Sequence, residues 1–162
     1  MSNYHAISCY DKNLCLKPDA TMWLIFLFLS RAYVILILSI VNMSDRTGLI
    51  DLVYPDRLTM SLGALAGIPT ALLVYAWVKR TPGAPPYVRN IWGKGRVFLV
   101  VSALLNACVV FVPFWMDTAH AIPAGNWIQF AIALLIVIVV YSSSYIRDCF
   151  NDFPSDEVPA EE

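Results

Sequence analysis

Four long apolar blocks dominate this chain, and each has the length of a helix that crosses a bilayer. They cover residues 20–41, 59–78, 97–115 and 127–146. A helix needs about 20 predominantly apolar residues to span the hydrocarbon core of a membrane. Strands of a membrane barrel alternate apolar and polar residues, and these blocks do not. The sequence therefore predicts an all-α membrane protein built as a bundle of four transmembrane helices.

The overall composition agrees with lipid as the solvent of these blocks. Apolar residues make up 59% of the 162 residues and charged residues only 14%. Soluble domains have about 45–50% apolar and about 25% charged residues. A soluble domain of this length could not bury so much apolar surface.

Basic residues are unevenly distributed among the segments outside the blocks. The segment 79–96 contains five Lys or Arg residues, the segment 42–58 contains two, and 116–126 contains none. The N-terminal arm adds two and the C-terminal tail adds one. Because cytoplasmic loops of membrane proteins carry an excess of Lys and Arg, both termini and the 79–96 loop are predicted to be cytoplasmic.

The chain is thus predicted to have three parts. Residues 1–19 form a cytoplasmic arm, residues 20–146 form the four-span membrane domain, and residues 147–162 form a tail. The tail is acidic and contains two prolines, a composition typical of a disordered segment.

Arg31 lies near the middle of the first apolar block. A charge at the centre of a membrane helix costs at least about 2.5–3.5 kcal/mol on insertion scales, so such a residue marks a functional or packing site. Arg31 could line an anion path, extend to a headgroup, or donate hydrogen bonds to other spans, and the last interpretation is favoured. The predicted acceptors are the amides of Asn106 and Gln129 and the carbonyl of Leu65, which Pro69 leaves without its helical donor.

Three small residues in the second block, Gly63, Gly67 and Ala71, recur at every fourth position. Such a spacing places them on one helix face, where another backbone can approach closely. The pattern predicts close packing within the chain or, as the alternative, contact with a second copy.

The 79–96 loop mixes cations with aromatic residues. This composition suits the anionic headgroup layer of the cytoplasmic leaflet, at about 1 kcal/mol per basic residue. The predicted partner of this loop is therefore the lipid surface. The candidate headgroup-binding residues are Lys79, Arg80, Arg89, Lys94 and Arg96.

No residue pattern in the chain specifies a reaction. Both histidines, His5 and His120, lie outside the blocks, which excludes haem ligation by two histidines within the membrane of one chain. An enzyme acting on lipid would need clustered His, Asp or Glu at one membrane face, and only Asp117 with His120 comes near. The four cysteines form no CxxC pair and are predicted to be reduced structural thiols. No catalytic residue, cofactor, metal or nucleic-acid partner is predicted.

Several short motifs are scattered over roughly residues 10–115. They are Tyr10-Asp11, Leu16-Lys17-Pro18, Trp23, Arg31, Tyr54-Pro55-Asp56, Gly67-Ile68-Pro69, Arg89, Trp92, Gly93 and Arg96. Together these motifs resemble the YfeZ-type family of uncharacterised gammaproteobacterial inner-membrane proteins, and the tail after Ile146 has no evident counterpart. The resemblance implies a bacterial inner-membrane location and supplies no activity.

These features together favour a non-enzymatic accessory or assembly protein, whose partner is another membrane protein or a second copy. A small-residue face, a membrane arginine and the lack of a catalytic pattern all suit that role. The alternative is a small oligomeric transporter or channel in which Arg31 lines an anion path.

Overall fold

A computed structural model describes residues 15–41, 54, 57–116 and 124–154, and these residues form eight helices. The all-helical fold that the sequence predicts is confirmed for this part of the chain. Residues 1–14 of the predicted arm and 155–162 of the predicted tail lie outside it. The helices are α1 (Ala20–Leu29), α2 (Arg31–Val41), α3 (Arg57–Val78), α4 (Pro86–Gly93), α5 (Gly95–Val109), α6 (Val112–Trp115), α7 (Ala124–Ser142) and α8 (Ser144–Asn151).

Two of these helices, α3 and α7, are long and apolar enough to cross a membrane without interruption. They have 22 and 19 residues, and a helix rises about 1.5 Å per residue. Two bent pairs are also long and apolar enough when each pair is taken as one span, α1 with α2 at 72° and α4 with α5 at 61°. The described residues thus provide between two and four candidate spans. Along the bundle, α3 packs against α5 and α5 packs against α7.

The first apolar block, predicted as one helix over 20–41, is broken at Ser30. The φ and ψ of Ser30 are −93° and 11°, and α2 leaves at 72° to α1. Close to the break, α2 contacts α3. The Tyr33 hydroxyl of α2 donates a hydrogen bond of 2.6 Å to the carbonyl of Ala64 in α3. This bond joins the first turn of α2 to α3.

The third block, predicted over 97–115, is also divided. Its main helix α5 begins earlier, at Gly95, and ends at Val109, and the short helix α6 follows. Pro113 lies in α6. Proline has no N–H, and its ring clashes with the carbonyl four residues earlier, here that of Val109, so a straight helix cannot continue through it.

The fourth block ends earlier than predicted, and part of the predicted tail is helical. The helix α7 ends at Ser142, and the Ser143 side chain then caps α8 by accepting a hydrogen bond from the Ile146 N–H. Ile146, Cys149 and Phe150 are buried on one side of α8. This buried side, which a composition argument overlooks, makes residues 147–151 part of the folded domain.

A short chain of hydrogen bonds joins α3 to α5 inside the bundle. The Thr70 hydroxyl donates to the Ser102 Oγ at 2.9 Å, and the Ser102 hydroxyl donates to the Ala66 carbonyl at 2.7 Å. Both side chains are buried. Since hydrocarbon offers no water to bond, polar groups at this depth must be satisfied within the protein.

The small-residue face of α3 packs against tyrosines of the same chain. A Cβ added at Gly67 would lie 2.9 Å from Cε2 of Tyr33, and one added at Gly63 would lie 3.2 Å from the Tyr54 ring. The two glycines therefore make room for two aromatic rings. Ala71, the third predicted member, is exposed instead.

Candidate functional site

Arg31 is the first residue of α2 and is partly buried. Its Nε donates a hydrogen bond of 3.3 Å to the Tyr54 hydroxyl. Its guanidinium carbon lies 4.9 Å from the centre of the Phe28 ring, a geometry in which cation and ring attract. No carboxylate pairs with Arg31 in the described ranges. Tyr54 itself is only 5% exposed, so the bond anchors Arg31 to the interior.

The partner of Arg31 differs from those that the sequence predicts. The Asn106 amide donates to the carbonyl of Ser102 in the preceding turn, and none of the hydrogen bonds among the described residues joins it to Arg31. The same holds for Gln129 and for the Leu65 carbonyl. Near Pro69, the hydroxyls of Tyr33 and Ser102 donate to the carbonyls that flank Leu65 on either side. Sequence reasoning missed Tyr54 because it lies outside the apolar blocks.

An apolar groove of about 500 Å³ lies beside Arg31, between α1 and α7. Aliphatic side chains such as Leu24, Ile132 and Val139 form most of its wall. Arg31 is the one charged residue that lines it in the described part of the chain. The groove thus offers a single cation next to a hydrocarbon-like surface.

A second arginine organises the end of the bundle at which α3 terminates. The Arg80 side chain is only 6% exposed. Its Nη1 donates to the Leu16 carbonyl at 2.8 Å and its Nη2 to the Asp152 carbonyl at 2.6 Å. The Asp152 carboxylate lies 3.9 Å away, and the guanidinium carbon lies 4.9 Å from the centre of the Trp92 ring. One side chain thereby joins the segments before α1 and after α8 to the end of α3 and to α4.

We call these four residues, Leu16, Arg80, Trp92 and Asp152, the Arg80 junction. Two further hydrogen bonds involve the Arg80 junction. The Leu16 N–H donates to Asp152 Oδ2 at 2.7 Å, and the Trp92 indole donates to the Cys149 carbonyl at 3.0 Å. Burial raises the pKa of the Cys149 thiol to about 12. The thiol therefore stays protonated and unreactive at neutral pH, as suits a packing residue.

The other two arginines of the 79–96 loop also contact the protein. Arg96 Nε donates to the Val140 carbonyl at 3.3 Å, and the guanidinium lies 5.0 Å from the Tyr141 ring centre. Arg89 is exposed, with its guanidinium 5.1 Å from the ring centre of Phe153. These contacts hold the loop against α7 and the segment after α8.

The five predicted headgroup cations therefore fall into two groups. Arg80 and Arg96 donate hydrogen bonds to backbone carbonyls of distant segments, whereas Lys79, Arg89 and Lys94 are exposed. The charge pattern of a loop does not distinguish these groups, because burial depends on which segments fold over it.

Within the described ranges, no group of three or more His, Cys, Asp and Glu side chains is arranged to hold a metal ion. Asp117 and His120, the sparse acid–histidine pair of the sequence, lie outside those ranges. The sites that the described structure offers are therefore the two arginines and the cavities beside them.

Comparison with known proteins agrees with the resemblance drawn from the motifs. A family model described as "Protein of unknown function (DUF2919)" matches residues 5–152. "Inner membrane protein YfeZ" of Escherichia coli (strain K12) is 30% identical over 152 residues, which are 93% of this chain and 96% of that protein. No solved structure matches. The chain belongs to the DUF2919 family, and the match includes α8, beyond the point where the motifs end.

Proposed function

We propose that this family member is a multi-pass protein of the bacterial inner membrane with a non-enzymatic role, as an accessory or assembly partner of another membrane protein. The span-length helices and the name of the Escherichia coli relative support the location. The hydrogen-bond donors of Arg31 that have no acceptor among the described residues support the accessory role.

Arg31 carries more donors than its surroundings use. A guanidinium has five N–H donors and stays charged in proteins. Its Nε bonds to a neutral hydroxyl, while both Nη groups lack an acceptor in the described part of the chain. Because an unpaired charge in hydrocarbon is costly, a carboxylate or amide on a neighbouring membrane helix would be a favourable partner. Arg31 is partly exposed, so a second protein could reach it.

Transport of an anion past Arg31 is the alternative, and the groove beside Arg31 argues against it. Its walls are mostly aliphatic side chains, and a hydrated anion gains nothing from such a wall to replace its lost water. An oligomer with polar lining from other copies would be required.

We further propose four crossings with both termini cytoplasmic. The first crossing is the bent pair α1–α2, and the third is built on α5. Reporter fusions after Lys94 and Asp156 should read cytoplasmic, and a fusion after His120 should read periplasmic, because the loop 79–96 holds five of the eleven basic residues. A periplasmic signal after Lys94 would contradict this orientation.

Substitution of Arg31 tests the proposed role. Arg31→Leu should still insert, since the insertion cost of about 2.5–3.5 kcal/mol disappears, yet it should lose the partner that co-purifies with wild type in mild detergent. Arg31→Lys should keep part of that association, because an ammonium is charged but lacks the planar fork of donors. Co-purification followed by mass spectrometry measures the effect.

Arg57→Leu, which removes an exposed cation from the first turn of α3, is the matched control and should retain the partner. Anion flux into liposomes is measured for the same variants. Flux that wild type supports and Arg31→Leu abolishes, with unchanged co-purification, would replace the accessory role by transport.

A further inference from the structure

A second cavity, of about 460 Å³, lies between the start of α1 and the end of α3, beside the Arg80 junction. Its lining includes Lys17, Trp23, Trp77, Arg80 and Thr81. We call it the Lys17 cavity. It is separate from the groove at Arg31, with which it shares no lining residue.

Two cations face the Lys17 cavity. Lys17 is exposed, and the Arg80 side chain is more than nine-tenths buried. The Nε of Arg80 is buried and has no hydrogen-bond acceptor among the described residues. Asp152 offsets part of the Arg80 charge, but its carboxylate also accepts the Leu16 N–H, and no described carboxylate lines the cavity. The cavity therefore favours an anion.

The other wall of the cavity is aromatic and lies where α1 begins and α3 ends. The Trp23 and Trp77 rings pack edge to face with centres 4.8 Å apart. Trp23 is in the first turn of α1, and Trp77 is in the last turn of α3. Tryptophan is enriched at this level of membrane proteins, between headgroups and acyl chains.

From this arrangement we infer that the Lys17 cavity binds the phosphate headgroup of an anionic phospholipid, such as phosphatidylglycerol, from the leaflet at this end of the bundle. Lys17 supplies donors for the phosphate oxygens, and Arg80 supplies positive charge from the interior. The acyl chains lie along the tryptophan wall. The inference adds a lipid site to the protein, and it holds whichever partner Arg31 has.

Lipid retention by the full-length protein tests the site. The protein is purified from mixed micelles holding equal amounts of phosphatidylglycerol and phosphatidylcholine, and bound lipids are counted by native mass spectrometry. Wild type should retain phosphatidylglycerol preferentially. Lys17→Gln should lower the ratio of bound phosphatidylglycerol to phosphatidylcholine by about fivefold, the equivalent of about 1 kcal/mol per basic residue at an anionic surface.

Arg147→Gln is the matched control, because it removes one exposed cation of α8, at the same end of the bundle, without touching the cavity. It should keep the wild-type ratio. An unchanged ratio in Lys17→Gln, or an equal drop in both variants, would overturn the inference, since the second result means general charge attraction. Displacement of phosphatidylglycerol by millimolar inorganic phosphate would overturn it as well and assign the cavity to a free anion.

Discussion

Replacing Arg80 by methionine should destabilise the protein more than removing any other cation of the 79–96 loop. The substitution deletes two charge-assisted hydrogen bonds, each worth about 1.5–3 kcal/mol. It removes the arginine donor from the carbonyls of Leu16 and Asp152, and only the Leu16 carbonyl keeps another donor, the Cys149 thiol at 3.4 Å. Breaking a buried, hydrogen-bonded charge pair costs about 3–5 kcal/mol. Since the Asp152 carboxylate is 37% exposed, we expect about 3 kcal/mol, measured as the free energy of unfolding in mixed micelles.

Two further variants separate the charge of Arg80 from its geometry. Lys79→Met removes the neighbouring, exposed cation and should leave the unfolding free energy nearly unchanged. Arg80→Lys keeps the charge, but a single ammonium cannot reproduce the fork that bonds Leu16 and Asp152, so an intermediate loss is expected. Wild-type stability in Arg80→Met would mean that the segments before α1 and after α8 are held by apolar packing alone.

The arginine and its neighbour also show where sequence reasoning ends. Lys79 and Arg80 have the same charge and adjacent positions, and both were predicted to bind headgroups. Only the folded chain distinguishes them, because the segments around Leu16 and Asp152 cover Arg80, and these lie 64 and 72 residues away from it. Contacts of that sequence separation leave no periodic signal.

Helix positions were predictable where apolarity alone decides them. The second block was predicted over 59–78 and the structure has α3 over Arg57–Val78. The break after Val109 had a readable cause in Pro113. The break at Ser30 had none, since no proline or glycine lies near it and the bend accompanies a tertiary bond from Tyr33 to α3.

For Arg31, only part of the site was predictable from the sequence. Its depth in an apolar block singles it out, because the cost of a charge there depends only on the block. Its partner could not be found in the same way. Tyr54 lies outside the apolar blocks, and its ring reaches Arg31 because Gly63 leaves room for it.

Two glycines that flank Lys94 should respond to alanine in opposite ways. A Cβ at Gly95 would overlap Cε1 and Cδ1 of Phe150 and lie 2.8 Å from its Cζ. Phe150 is only 1% exposed and packs on Trp92 with ring centres 4.9 Å apart, so it has little room to move. Overpacking of this kind costs about 1–3 kcal/mol, and expulsion of the ring would cost up to about 3–5 kcal/mol.

Gly93→Ala is the control. A Cβ at Gly93 meets nothing within 4 Å, and the residue is the last of α4. Alanine there should stabilise the protein by up to about 0.5–1 kcal/mol, because it reduces the conformational freedom of the unfolded chain. Thermal aggregation in detergent, measured for both variants beside wild type, gives the sign of each effect. Equal behaviour of the two would mean that the α5 backbone does not approach Phe150.

The cause of the Gly95 effect can be assigned with a double-mutant cycle. In a Phe150→Ala background the new methyl group has space, so Gly95→Ala should cost far less than in wild type, and the difference is the coupling between the two positions. A full cost in that background would place the strain elsewhere in α5. A strong coupling would instead show that α8 packs closely against α5 because Gly95 has no side chain, although composition predicts residues 147–151 of α8 to belong to a disordered tail.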